Sequence, residues 1–189
     1  MNSTTTALAA PAFLKRPLWT HWSAALGLAA ATFQIVTGVA TEAVALTVAV
    51  AASCYLAAAA FGLRWIAWAC ILVGSIVAIL SELAGAPWWL GLAVFAAVLV
   101  VVGLLRRTSV GWLSAEGFAM VGFGGLAVTA VLISPRFGLA VAGIALAGHA
   151  AWDYLHWRRD AVVPRSMAEF CIALDVLFGG AAITLAIIG

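Results

Sequence analysis

Long apolar segments separated by short polar turns make up most of this chain. Seven such segments run approximately over residues 18–40, 43–63, 65–83, 88–105, 112–133, 137–156 and 166–189. Each reaches the ~18 residues that a spanning helix needs, and none alternates apolar and polar positions as the strands of a membrane barrel do. The pattern predicts an all-α polytopic membrane protein, with a cytoplasmic tail over residues 1–17 and one seven-transmembrane helix bundle over residues 18–189.

The composition supports a membrane protein and excludes several other classes. A soluble domain carries about 25% charged residues, whereas this chain carries 8%, with 66% hydrophobic residues. Its net charge of +2 is too small to indicate a nucleic-acid partner. Cys54, Cys70 and Cys171 lie inside predicted spans and form no CxxC pair, so a disulfide framework is not expected. The partner that the composition predicts is the lipid bilayer.

Basic residues concentrate on one side of the predicted bundle. Placing the N-terminus inside leaves Arg136 as the one basic residue outside. Because cytoplasmic loops carry an excess of Lys and Arg, we expect a cytoplasmic N-terminus, an external C-terminus and a location in the plasma (inner) membrane. The only lysine, Lys15, lies in the tail, which excludes a retinal Schiff base in the bundle. The basic residues on the predicted cytoplasmic side are Lys15, Arg16, Arg64, Arg106, Arg107, Arg158, Arg159 and Arg165.

The sixth and seventh segments contain the most informative polar residues. His149, Asp153 and His156 follow an i, i+4, i+7 spacing and therefore share one helix face. Counted from the loop between the two segments, Asp175 reaches the same depth as His149, about 12 to 14 Å inside the membrane, and Cys171 reaches the depth of Asp153. An ionised side chain at such a depth costs at least ~2.5 kcal/mol and usually has a function. We therefore expect the side chains of His149 and Asp175 to contact each other directly or through a single water molecule or ion.

Imidazole and carboxylate groups together suggest two kinds of chemistry. They are ligands for zinc, iron or manganese, and three protein ligands leave an open position for water. The candidate metal ligands are His149, Asp153, His156 and Asp175, of which His149, Asp153 and Asp175 are also the candidate catalytic residues. His149 and His156 are ~10.5 Å apart along the helix axis, so His149 with Asp153, or Asp153 with His156, would chelate one ion. Without a metal, the same groups would form a proton relay. The same counting leaves open whether His21, Tyr55, Glu116 and Cys171 join the site.

Simpler interpretations exist for each of these residues. His156 precedes a charged loop and would be a solvated interfacial side chain. Glu169 lies three residues after Ser166, in a capping-box pattern, and would serve to start the last helix. Asp153 would pair with a loop arginine, and His149 would only tie two helices together by a hydrogen bond to Asp175.

The glycines of the last spans are expected to allow close helix packing. They occur as Gly122, Gly124 and Gly125 in the fifth segment and as Gly179 and Gly180 in the seventh. Small residues let helix backbones approach in a membrane. Oligomerisation through the Gly/Ala-rich helices is a further expectation.

The run HxxWDxxH from His149 to His156, then Pro164, then FCxxxD ending at Asp175, resembles a pattern in small multi-pass bacterial membrane proteins of unassigned function. The resemblance covers about the last 40 residues and implies no particular activity. A looser analogy exists with intramembrane metal hydrolases of the alkaline ceramidase and adiponectin receptor kind, which have seven spans and a His/Asp zinc site toward one leaflet. This chain lacks their full set of histidines, so no residue role is carried over.

Three functions fit these observations. The first is an intramembrane metal-dependent enzyme that acts on a lipid or apolar substrate from the cytoplasmic leaflet, with His149, Asp153 and Asp175 as ligands or acid/base groups. The second is a small proton- or ion-coupled transporter that uses the same groups as its relay. The third is a non-catalytic membrane subunit of a larger complex, in which the polar cluster only fixes helix packing.

Overall fold

The computed structural model describes residues 21–189, and these form seven α-helices joined by short turns. The predicted tail and the first residues of the first predicted span lie outside the described residues. The other predicted segments match the observed helices closely, so the all-α prediction is confirmed for the described chain. The helices are α1 (Trp22–Thr37), α2 (Thr41–Phe61), α3 (Ile66–Leu83), α4 (Trp88–Leu105), α5 (Val110–Leu132), α6 (Pro135–Arg159) and α7 (Arg165–Ile188).

Five helices within residues 21–189 are long and apolar enough to cross a membrane, namely α2, α3, α4, α5 and α7. The described part of α1 is 16 residues long. Helix α6 has 25 residues, but its second half carries the polar side chains of the candidate site. Large apolar side chains such as Leu72, Val98 and Phe118 are exposed on α3, α4 and α5, which is consistent with a helical bundle surrounded by lipid.

Helix α2 lies at the centre of the bundle and packs against α3, α4, α5, α6 and α7. Its residues from Val48 to Ala60 are all buried. Most of them are alanine or another small residue, which lets five neighbouring helices approach one backbone. Tyr55 is the one large polar side chain in this run, and it is 1% exposed.

Close contact between α6 and α7 depends on two glycines. A Cβ atom added to Gly179 would lie 3.0 Å from the Gly143 carbonyl oxygen and 3.1 Å from the Ala147 nitrogen. The expected packing role is therefore confirmed for Gly179. It is wrong for Gly180, Gly122 and Gly125, where an added Cβ would meet nothing within 4 Å among the described residues. A Cβ on Gly124 would meet only the flexible end of Met120, at 3.4 Å.

The turns at one end of the bundle are tied together by Arg64, which follows α2. Its guanidinium forms an ion pair with Asp160 and donates to the Val163 carbonyl oxygen from Nε at 3.1 Å and from Nη2 at 2.7 Å. Asp160 ends α6 in a left-handed conformation, at φ 49°. These contacts hold the α6–α7 loop against the α2–α3 turn.

Candidate metal centre

His149, Asp153 and Asp175 meet between α6 and α7 and are referred to below as the His149 group. His149 Nδ1 lies 2.9 Å from Asp175 Oδ2 and 3.2 Å from Asp153 Oδ2. All three side chains are at most 1% exposed. The predicted approach of His149 and Asp175 is therefore confirmed, since one helical turn of α6 supplies two of the groups and α7 supplies the third at matching depth.

One nitrogen faces two carboxylate oxygens in this group, although a single N–H can donate fully to only one of them. Three other buried polar atoms, His149 Nε2, Asp153 Oδ1 and Asp175 Oδ1, have no hydrogen-bond partner among the described residues. Buried polar atoms normally have partners. The group therefore has unused capacity to bind a proton, a water molecule or an ion.

The separations suit a small metal ion. One ligand atom from each residue can be chosen so that all three lie within 4.8 Å of one another. Ligands placed at ~2.0–2.1 Å from a tetrahedral zinc ion are about 3.3 Å apart, close to the 2.9 Å and 3.2 Å measured between the His149 nitrogen and the two carboxylates. Imidazole and carboxylate are also the donor set that zinc, iron and manganese accept.

Aromatic side chains and Cys171 enclose the His149 group. The rings of Tyr55 and Phe123 are edge-on to the His149 ring, with centroids 5.5 Å and 4.9 Å away. The Tyr55 hydroxyl makes no hydrogen bond of normal geometry with a described residue, but it is close enough to Asp153 to interact with it electrostatically. Cys171 is buried beside the two carboxylates. These contacts shield the group from bulk water.

His156 forms a separate pair with Glu116 of α5. Its Nε2 lies 2.9 Å from Glu116 Oε1, and its Nδ1 lies 2.9 Å from the Trp152 carbonyl oxygen. A carbonyl oxygen can only accept, so Nδ1 must carry a proton. The other contact then needs one more proton, held either by Nε2 or by the carboxyl group. Trp152 Nε1 donates to Glu116 Oε2 at 3.1 Å, so both carboxyl oxygens have partners.

The structure does not bring His156 into the His149 group, although the sequence made it a candidate metal ligand. The alternative expectation of a solvated interfacial side chain is wrong, since His156 is only 3% exposed. Its ring packs against Tyr55, with the centroids 5.0 Å apart. Tyr55 thus separates the two histidine sites.

Glu169 belongs to a third cluster, with His21 and Trp157. The Trp157 indole donates to Oε1 at 2.9 Å, the Ser23 hydroxyl contacts Oε2 at 3.3 Å, and His21 Nδ1 lies 3.4 Å from the same oxygen. The capping-box expectation is therefore wrong. Pro164 occupies the N-cap position of α7, which has no side-chain cap within the described chain, so Ser166 already lies inside the helix.

Among residues 21–189, no arginine forms an ion pair with the His149 group. The ion pairs found for arginine join Arg64 and Arg165 to Asp160, the latter pair at 3.6 Å, and the Arg158 guanidinium lies over the Tyr154 ring. The expectation that Asp153 pairs with a loop arginine is wrong, because its partner is His149.

Comparison with known proteins gives no match: no family model, no curated protein and no solved structure is detectably similar to the chain.

Proposed function

We propose that this chain is a metal-dependent enzyme of the plasma (inner) membrane that acts on a lipid or other apolar substrate. The observation that carries the proposal is the convergence of two buried carboxylates on one nitrogen of His149, at 2.9 Å and 3.2 Å. In this proposal, seven helices span the membrane with the N-terminus in the cytoplasm, and the His149 group lies in the cytoplasmic half.

Charge balance favours a bound divalent cation. With a neutral imidazole, the two ionised carboxylates of the group leave two negative charges in a site that is at most 1% exposed. A protonated imidazole would remove only one of them, so neutralising the group with protons alone would also require a protonated carboxyl group. Buried charges are costly unless they are paired or coordinate a metal, and a divalent cation neutralises the group completely.

The residues present fit zinc, iron or manganese, with His149, Asp153 and Asp175 as ligands. Three protein ligands leave a coordination position for water or substrate, and such a metal supplies a Lewis acid and an activated water molecule. The chain itself contributes the orientation of the ligands and, through Tyr55, Phe123 and Cys171, a site closed to bulk water.

Metal analysis of the purified protein in detergent tests this proposal. We expect one zinc, iron or manganese ion per chain, and its loss in the variants His149→Gln and Asp175→Asn. Glu116→Gln is the matched control, because Glu116 is also a buried carboxylate paired with a histidine, and this variant should retain the metal when folded. A metal-free wild-type protein, or equal metal loss in all three variants, would refute a metal centre at the His149 group.

Proton-coupled transport is the second candidate, favoured by the unpartnered atoms of the same group. A proton taken up by His149 or by a carboxyl group would bind at one of the atoms that now lack partners. Metal-free protein reconstituted in vesicles would then move protons, and Asp175→Asn would abolish the flux. Absence of both metal and flux would leave the third function, that of a packing subunit.

A further inference from the structure

A cavity of about 390 Å³ lies between α1, α2, α3 and α7 and is called here the α1–α3 cavity. It exists because α1 packs chiefly against α7 and reaches α2 through a single side-chain hydrogen bond, from Gln34 Nε2 to Thr47 Oγ1 at 3.0 Å. The wedge left between α1 and α3 is only partly enclosed. Because α1 and α3 both carry exposed apolar side chains, such as Leu28 and Leu72, we expect this wedge to open toward lipid in a membrane.

The wall of this cavity is mostly apolar but contains Asp175, whose Oδ1 atom is buried and has no hydrogen-bond partner among the described residues. Cys171, one turn away on α7, lies beside it in the wall. The cavity thus leads from the lipid-facing surface of the bundle to one carboxylate of the His149 group.

A second cavity provides an internal comparison. It has about the same volume, about 370 Å³, and lies between α2, α4 and α5. Apolar side chains and the glycines Gly117, Gly124 and Gly125 line it, with no acidic, amide or hydroxyl side chain among the lining residues. Such a surface accommodates any lipid chain, whereas the α1–α3 cavity combines an apolar wall with a polar end.

The polar groups of the α1–α3 cavity mainly accept hydrogen bonds. The hydroxyl of Thr47 donates to the Ala43 carbonyl oxygen and accepts from Gln34 Nε2. The hydroxyl of Ser75 donates to the Ile71 carbonyl oxygen, and its oxygen keeps lone pairs for a ligand. A carboxylate has only acceptor atoms, which adds Asp175 to the same set. A ligand for this cavity therefore needs a donor at its polar end and a hydrocarbon body for the remaining wall.

We propose that the α1–α3 cavity binds the substrate of the His149 group, and that this substrate is a single-chain amphiphile with an uncharged, hydrogen-bond-donating head group such as a hydroxyl. Its hydrocarbon chain lies against α1, α2 and α3, and its head group lies at Asp175. An anionic head group is disfavoured because it has no hydrogen to donate to the unpartnered Asp175 Oδ1 atom. This inference rests on the proposed function for the reaction, but the binding site itself is tested without it.

The test uses a long-chain primary alcohol with a photoreactive diazirine on its chain, added to the full-length protein in phosphatidylcholine nanodiscs. We expect saturable labelling that mass spectrometry maps to α2 residues 43–54 and α7 residues 167–175. Unlabelled alcohol should compete, and the carboxylic acid of equal chain length should not. Labelling restricted to lipid-facing side chains such as Leu72, or equal competition by the acid, would overturn the proposal.

Cavity-filling variants supply the matched control. Ala51→Phe and Ala30→Phe each place a ring in the α1–α3 cavity, and Ala96→Phe places one in the second cavity. Removing the space for the hydrocarbon chain should weaken labelling about tenfold or more in the first two variants and leave it unchanged in Ala96→Phe. Equal labelling in all three variants would refute the site.

Metal content measured on the same samples separates the two proposals. Metal retained with unchanged labelling in Ala51→Phe and Ala30→Phe would refute the substrate site alone. If the wild-type protein contains no metal but is labelled saturably, and if Ala51→Phe and Ala30→Phe weaken this labelling, the metal centre alone is refuted.

Discussion

Two buried histidine–carboxylate sites lie side by side in this protein, and they differ in how completely their hydrogen bonds are satisfied. In the pair of His156 and Glu116, both ring nitrogens and both carboxyl oxygens have partners. In the His149 group, two carboxylates compete for one nitrogen and three polar atoms have no partner among the described residues. Tyr55 packs between the two sites.

In the proposed function, this difference corresponds to a structural role for the pair of His156 and Glu116 and a ligand-binding role for the His149 group. In the pair of His156 and Glu116, every hydrogen bond is already made, so a ligand has no missing partner to supply. The pair holds α5 against α6. A buried group with unpartnered polar atoms is less stable by itself. Binding of a ligand that supplies the missing partners lowers its free energy. Both sites are buried and combine histidine with carboxylate, but the His149 group has two carboxylates for one nitrogen and the other site has one carboxylate with a partner for each oxygen.

Removing one member of the complete pair should have the largest effect on stability. His156→Leu leaves the buried Glu116 carboxylate with the Trp152 indole as its one remaining contact among those described, and breaking a buried pair in this way costs about 3–5 kcal/mol. Unfolding of the variant in mixed micelles measures this loss. The double variant His156→Leu/Glu116→Leu should recover most of it, because no charge is then left unpaired. If the double variant is as unstable as the single one, the pair is not the source of the stability.

An intermediate effect is expected where α6 and α7 touch. Gly179→Ala should lower the free energy of unfolding by about 1–3 kcal/mol, because the added Cβ would lie 3.0 Å from the Gly143 carbonyl oxygen. Metal content should fall with it, since a shift between α6 and α7 separates His149 from Asp175. Gly180→Ala is the control and should not reduce either quantity. Loss of metal in the Gly180→Ala variant would contradict the prediction that the close α6–α7 contact at Gly179 keeps His149 beside Asp175.

The smallest effect on stability is expected inside the His149 group. In metal-free protein, Asp175→Asn should change the free energy of unfolding by less than about 1 kcal/mol, because it removes one of two carboxylates that compete for the same nitrogen. The same micelle assay applies. A loss as large as that of His156→Leu would mean that the two sites are alike and that the comparison fails.

The sequence could predict those features that depend on position along one helix or between two adjacent helices. Apolar segment length predicted the helices, and the short loop after α6 fixed the register that brings Asp175 to His149. The rotation of α5 about its own axis has no such signal, so the contact of Glu116 with His156 was not predicted, and Glu116 was only a possible additional member of the His149 site. The capping-box interpretation of Glu169 was wrong because the N-cap of α7 is Pro164, two residues before Ser166. Ser166 therefore lies inside the helix and not at the N-cap position that a capping box requires.

All three histidine–carboxylate clusters depend on one stretch of α6. Between His149 and Trp157, four side chains contact carboxylates on two neighbouring helices, namely Asp175 and Glu169 on α7 and Glu116 on α5. Each successive residue points about 100° further round the axis. One residue inserted or deleted within this stretch would turn part of these side chains away from their partners, whereas a substitution affects one cluster. The spacing of residues along this part of α6 therefore affects all three clusters, whereas any one side chain affects one of them.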